Sequence, residues 1–243
     1  MQVKKVKLGA GLLTVLFAVT THGQIGVFKS SLSNNENGGA VIEGASSNGF
    51  SLVYNVAQTD CRAITEADVG KRILTEGSAA VLSFKVSSTQ FSDTSSGGVG
   101  WGFDFGNSVI FCTAATGAPK YTFHQHRYDV QKGFPFTPGV AAGSWMASGR
   151  TMPDEAAFLK AGNSVTIVTT LKRVKGDKYE MTVTWGGQTY KSSFVFAGDH
   201  SVDSIFIRSG EHSQSAFKPG DNYTVSDVSL EMIPSDAAAV VVG

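Results

Sequence analysis

Cysteine is nearly absent: Cys61 and Cys112 are the only two in 243 residues, and neither belongs to a CxxC pair. That excludes a disulfide-stapled miniprotein and leaves thiol redox catalysis without its usual motif. Charge is also sparse. Asp, Glu, Lys and Arg make up 16% of the chain, with 20 residues of each sign, so no basic stripe invites nucleic acid or anionic lipid. No apolar run reaches the roughly 20 residues that a membrane span requires. A GxSxG elbow and a P-loop are missing. The glycines of GVGWGF at 98–103 precede no helical pattern, so they read as a strand whose glycines let aromatics pack rather than as a dinucleotide fingerprint.

The chain does hold the material of a core, with 42% hydrophobic and 10% aromatic residues. Its first 23 residues stand apart. Lys4, Lys5 and Lys7 precede the uncharged run Leu8 to Thr20, then small residues at Thr21 and Gly23. Cations, a short apolar segment and small residues make a secretory signal, expected to be cut after Gly23 or two or three residues earlier. The reading is thus of an exported protein, secreted or held at the cell surface, slightly acidic once the signal lysines are gone and without a transmembrane span. In an oxidising compartment Cys61 and Cys112 are expected to form a disulfide, closing a loop of about 50 residues worth roughly 4 kcal/mol of stability. A metal pair or two buried thiols are the alternatives.

Residues 24–49 carry Ser, Asn and Gly without periodicity and read as a linker or a loosely held first strand. From Phe50 to residue 233 a single domain is expected. Its apolar residues recur at spacing two, the signature of half-buried strands: Phe50, Leu52, Tyr54; Ala80, Leu82, Phe84, Val86; Val99, Trp101, Phe103. Runs at 108–113 and 120–128 continue the pattern. Glycines and prolines then crowd 129–162, an irregular excursion with at most a short helix at Asp154 to Lys160. Val165 to Leu171, a KGD turn, Tyr179 to Trp185, a Gly-Gly turn and Tyr190 to Phe196 form a meander. Two further strands follow at 201–210 and 223–232. Nine or ten strands and almost no helix give an all-β fold, two packed antiparallel sheets in a sandwich. Residues 234–243 leave the pattern as a short tail.

The runs VTIVTTLKRVKGDKYEMTVTWGGQTY, FVFAG, SIFIRS and YTVSDVSLEMIP resemble the C-terminal half of concanavalin A-like, laminin G-like jelly-roll domains of secreted bacterial proteins. The resemblance covers about 70 residues and implies the jelly-roll fold. Similar exported proteins continue into a sorting tail beginning Ile/Val-Pro-Glu-Pro-Ala. Here Ile233-Pro234-Ser235-Asp236-Ala237 keeps the Pro and Ala but not Glu-Pro, a degenerate or truncated form.

The densest polar cluster is Phe123 to Asp129. On a strand His124 and His126 share one face, Gln125 and Arg127 the other. The two histidines are candidate metal ligands if His200, His212 or Asp129 joins them. In a polysaccharide lyase Tyr128 or a histidine would take a proton while Arg127 neutralised a uronate. Glycoside hydrolysis needs two carboxylates about 5 to 10 Å apart. No acidic-x-acidic strand ladder is expected: Asp154-Glu155 fall in the irregular stretch, and Asp227 and Glu231 read as an exposed strand face. Trp145, Phe134 and Phe136 fall in that stretch too, where rings can lie against a sugar, with Tyr128 beside them. Asp199, Asp203, Asp221 and Asn222 offer oxygens to a structural calcium, though turn residues look the same. No cofactor is required. The first expectation is a non-catalytic module that binds a polysaccharide or cell-surface glycan, or builds the envelope. A carbohydrate-active lyase or hydrolase using His124, His126, Arg127 and Tyr128 is the alternative, and a self-associating surface protein the third.

Overall fold

The computed structural model describes residues 21–22, 24–31, 40–55, 58–59, 63–90, 97–106, 108–117, 120–129, 145–152, 161–185, 188–196, 198–209 and 216–235, with 108–152 described at the level of the backbone. They form seventeen strands, every pairing antiparallel. No helix occurs among the described residues. The two-sheet sandwich expected from the alternation is present.

The first sheet contains β1 (Thr21–His22), β3 (Ala40–Ser46), β4 (Gly49–Tyr54), β7 (Ala79–Ser87), β12 (Ser164–Lys175), β13 (Lys178–Trp185), β14 (Gln188–Val195) and β17 (Asn222–Ile233). Its order is β14-β13-β12-β7-β17-β4-β3, with β1 beside the far end of β17. The second contains β2 (Lys29–Ser31), β6 (Ala63–Ile73), β8 (Gly97–Asp104), β9 (Ser108–Gly117), β10 (Lys120–Asp129), β11 (Trp145–Met152) and β15 (Ser201–Ser209), in the order β11-β10-β9-β8-β15-β6-β2. A two-stranded ribbon joins β5 (Gln58–Thr59) to β16 (Ala216–Phe217).

Alternation fixes which face each strand buries. Ala80, Leu82, Phe84 and Val86 of β7 are fully buried, as are Ile167, Thr169 and Leu171 of β12, while their neighbours are more exposed. From the second sheet Ala67, Val69, Val99, Trp101, Phe103, Ile205 and Ile207 complete one core. Trp101 meets Trp185 edge-on at 6.1 Å and Phe84 at 5.9 Å. In β17 the buried residues shift phase, from Tyr223 and Val225 to Val228 and Leu230. The cause is a bulge between Ser226 and Ser229, where Asp227 takes a φ of 54°.

Three sequence readings change. The body starts before Phe50, because Phe28 is 2% exposed, meets Phe50 at 5.4 Å, and Ala40–Ser46 form β3. Residues 63–73, unassigned by pattern, form β6. Trp145 belongs to strand β11 rather than to a loop. Cys112 lies on β9 opposite Trp101 and Gln125, whereas Cys61, Phe134, Phe136, His212 and the 154–160 segment lie outside the described residues.

Candidate functional site

The second sheet has a core face and an outer face, and the outer face gathers carboxylates. On β6, Thr65, Ala67 and Val69 are buried, which turns Glu66 and Asp68 outward together. This acidic-x-acidic pair corrects the expectation that none exists. β6 alternates Thr, Ala and Val inward rather than large apolar residues, so its period is faint in the sequence. On β8, Val99, Trp101 and Phe103 enter the core, leaving Gly100, Gly102 and Asp104 on the outer side. On β15, Ile205 and Ile207 enter the core, leaving Ser204 and Phe206 on the side of the carboxylates, where both are nevertheless buried, Phe206 fully.

Register sets these residues in straight cross-strand rows. One runs Asp68, Ser204, Asp104, Val109, Tyr128, across β6, β15, β8, β9 and β10. The next runs Lys29, Glu66, Phe206, Gly102, Phe111, His126, Trp145, crossing all seven strands. A third carries Arg208, Gly100, Thr113 and His124. The pairing thus brings His126, Tyr128 and Trp145 into the rows of the groove carboxylates, whereas the row of His124 holds none. Arg127 does not join them: its row contains Ile110, Phe103 and Ile205, the last two in the core.

At the β6 end the face is hollowed into an open cavity of about 500 Å³, walled by Gly26, Val27 and Gly106 and lined by Lys29, Ser204 and four carboxylates, Glu66, Asp68, Asp104 and Asp203. That size suits a few sugar rings. The carboxylates are held by donors. The Gly70 amide donates to Asp68 Oδ1 at 2.7 Å and the Gly106 amide to Asp104 Oδ1 at 2.6 Å. Ser204 Oγ donates to the Glu66 carboxylate, and Ser201 Oγ to Asp203 Oδ1 at 3.4 Å. A bulge opposite Val69 to Lys71, with Gly70 and Lys71 at φ of 71° and 49°, brings Asp203 to the rim. Gly106 leaves it room: a Cβ there would lie 2.9 Å from Asp203 Oδ2.

Burial raises the Asp104 carboxyl from 3.8 to about 6, with Glu66 and Asp203 adding to the rise against the Gly106 hydrogen bond. A carboxyl that holds its proton into this range can donate as well as accept.

The other expected groups are committed elsewhere. Asp199 pairs with Lys71 at 3.6 Å, and buried Asp221 accepts from the Lys218 amide at 2.7 Å. His200 Nδ1 meets the Tyr179 hydroxyl at 2.7 Å, with Asp177 3.4 Å from Nε2. Among the described residues no three His, Cys, Asp or Glu side chains converge as metal ligands.

No family model and no curated protein matches the chain. Solved structures do match its fold. An endo-1,3-β-glucanase from Streptomyces sioyaensis aligns over 90% of this chain and 98% of its own, with a TM-score of 0.53 and 10% identity. The carbohydrate recognition domain of Emp46p in its potassium-bound form gives 0.52 and 7%, and that of Emp47p 0.50 and 11%, each over 86% of this chain and 88% of its own. The chain therefore has a jelly-roll sandwich fold, and at these identities the likeness speaks for the fold alone.

Proposed function

We propose that this chain is an exported carbohydrate-binding module whose ligand lies along the outer face of the second sheet. The observation that carries the reading is the open cavity lined by Glu66, Asp68, Asp104, Asp203 and Ser204, from which the row Asp68, Ser204, Asp104 leads across the sheet to Tyr128. Carboxylates and a hydroxyl supply hydrogen bonds to sugar hydroxyls. The structural neighbours include a glucanase and carbohydrate recognition domains, which makes a glycan the natural ligand class. Lys4, Lys5, Lys7 and the apolar run after them support export, which would permit the Cys61–Cys112 disulfide. The test is retention of the purified protein on a panel of insoluble polysaccharides, with and without calcium. The expected result is retention by at least one, lost tenfold or more in the Glu66→Gln, Asp68→Asn double variant with unchanged circular dichroism.

A second reading, a glycoside hydrolase on the same groove, is favoured by the Asp104 carboxyl at about 6 beside the Glu66 and Asp68 pair. Residues two apart on one strand face stand about 7 Å apart, within the range that glycoside hydrolysis uses. New reducing ends released from the retained polysaccharide, and lost in Asp104→Asn, would establish it.

A further inference from the structure

The groove's charge states what kind of sugar it would hold. Four carboxylates, Glu66, Asp68, Asp104 and Asp203, face one open cavity that Lys29 alone balances among its lining residues. Their bound donors are two backbone amides and two serine hydroxyls, all neutral, so none of these hydrogen bonds cancels a charge. Resting on the glycan-groove reading above, we propose that the groove selects sugars bearing free amino groups, a cationic glucosamine-type chain, over neutral sugars, and rejects uronate chains.

The chemistry follows from the donors each ligand brings. A neutral hydroxyl donates one hydrogen bond to a carboxylate and leaves its charge in place. An ammonium group donates three and neutralises one charge, in a cavity where partial burial strengthens the attraction. A uronate adds a further negative charge to a cavity that already holds three or four, according to whether Asp104 keeps its proton. Lys29 does not reverse this balance, because Glu66 lies directly opposite it across the β2–β6 pair. The groove's own titration agrees: burial, then Glu66 and Asp203, keep the Asp104 proton on, as expected where positive charge is lacking. The exposed Val27 side chain on the rim leaves an apolar patch for the C–H face of the same ring.

Calorimetric titration at pH 6 and low salt with three hexasaccharides, of glucosamine, N-acetylglucosamine and galacturonate, tests the inference. The glucosamine chain is expected to bind at least tenfold more tightly than its acetylated counterpart, with no measurable uronate binding. That preference should shrink to threefold or less in the Asp68→Asn, Asp203→Asn double variant, and in 0.5 M salt. Equal affinity for the amino and acetylated chains, or binding of the uronate, would overturn the charge selection while leaving the groove reading intact. An undiminished preference in the double variant would place the cation elsewhere and overturn it also. Failure of all three chains to bind, with no polysaccharide retained, would remove both.

Discussion

Trp101 of the second sheet donates its indole N–H to the hydroxyl of Thr169 in the first, 2.8 Å across a core where both side chains are fully buried. It is a polar tie between the two layers in the middle of the apolar core. Replacing Thr169 with Val keeps the shape and removes the acceptor that the buried indole N–H meets. The expected loss is about 1 to 3 kcal/mol in urea denaturation, with Thr169→Ser costing less.

The Asp104 carboxyl gives stability a pH dependence opposite to that of an ion-paired aspartate. Its value rises from 3.8 to about 6 on folding, so its contribution is whole below pH 3.8 and lost as pH passes through 6. Asp104→Asn keeps the acceptor for the Gly106 amide and removes the charge. The variant should be more stable than the native chain at pH 8 by about 1 kcal/mol, a figure discounted because the group stays part-solvated. The gap should close below pH 4. Denaturation midpoints at pH 4, 6 and 8 measure it.

Tyr179, 1% exposed, ties the Gly176–Asp177 turn to the segment entering β15 through His200. Burial raises its hydroxyl to about 12, with Asp177 and Asp199 adding and Arg173 opposing. The protonated phenol is thus favoured in the fold, and its contribution is lost as pH climbs from 10 through 12. Tyr179→Phe should cost about 1 kcal/mol at pH 7 and flatten the alkaline loss of stability. Hydrogen exchange at the Phe196 amide, which donates to the Asp177 carbonyl at 2.8 Å, should quicken in the same variant.

Gly49 closes the β3–β4 hairpin at a φ of 146°, with its Cα against β17. A Cβ there would lie 2.0 Å from the Val225 carbonyl oxygen, on backbone that cannot step aside. Gly49→Ala should cost about 3 kcal/mol or more, seen as loss of soluble protein or a sharp fall in melting temperature.

The strands with large inward residues were legible because alternation survives wherever one face is dry. Phe50 to Tyr54, Ala80 to Val86, Val165 to Leu171 and Tyr179 to Trp185 announce their own period. β6 was not, since Thr65 and Ala67 are weakly apolar and Gly70 and Lys71 interrupt it with a bulge. The groove is hidden in the sequence for the same reason. Its carboxylates sit at residues 66, 68, 104 and 203, and only the pairing of β6, β15 and β8 puts them side by side. His126, Tyr128 and Trp145 were singled out by composition, and the rows that join them to those carboxylates are a property of register that no local pattern contains. Arg127 shows the converse, because a strand's alternation separates sequence neighbours.

β17 sits between β7 and β4 near the middle of the first sheet, so strands made early wait for a partner made late. While a ribosome is still short of residue 222, β7 and β4 each present a bare edge to the surroundings, and the core of that layer stays unsealed. Such a topology is expected to close this sheet only once β17 is available, with slow, non-local pairing as the final step. It is accordingly suited to a handler that keeps it extended until its last strand arrives, and a product cut short before Asn222 should aggregate rather than form a smaller domain.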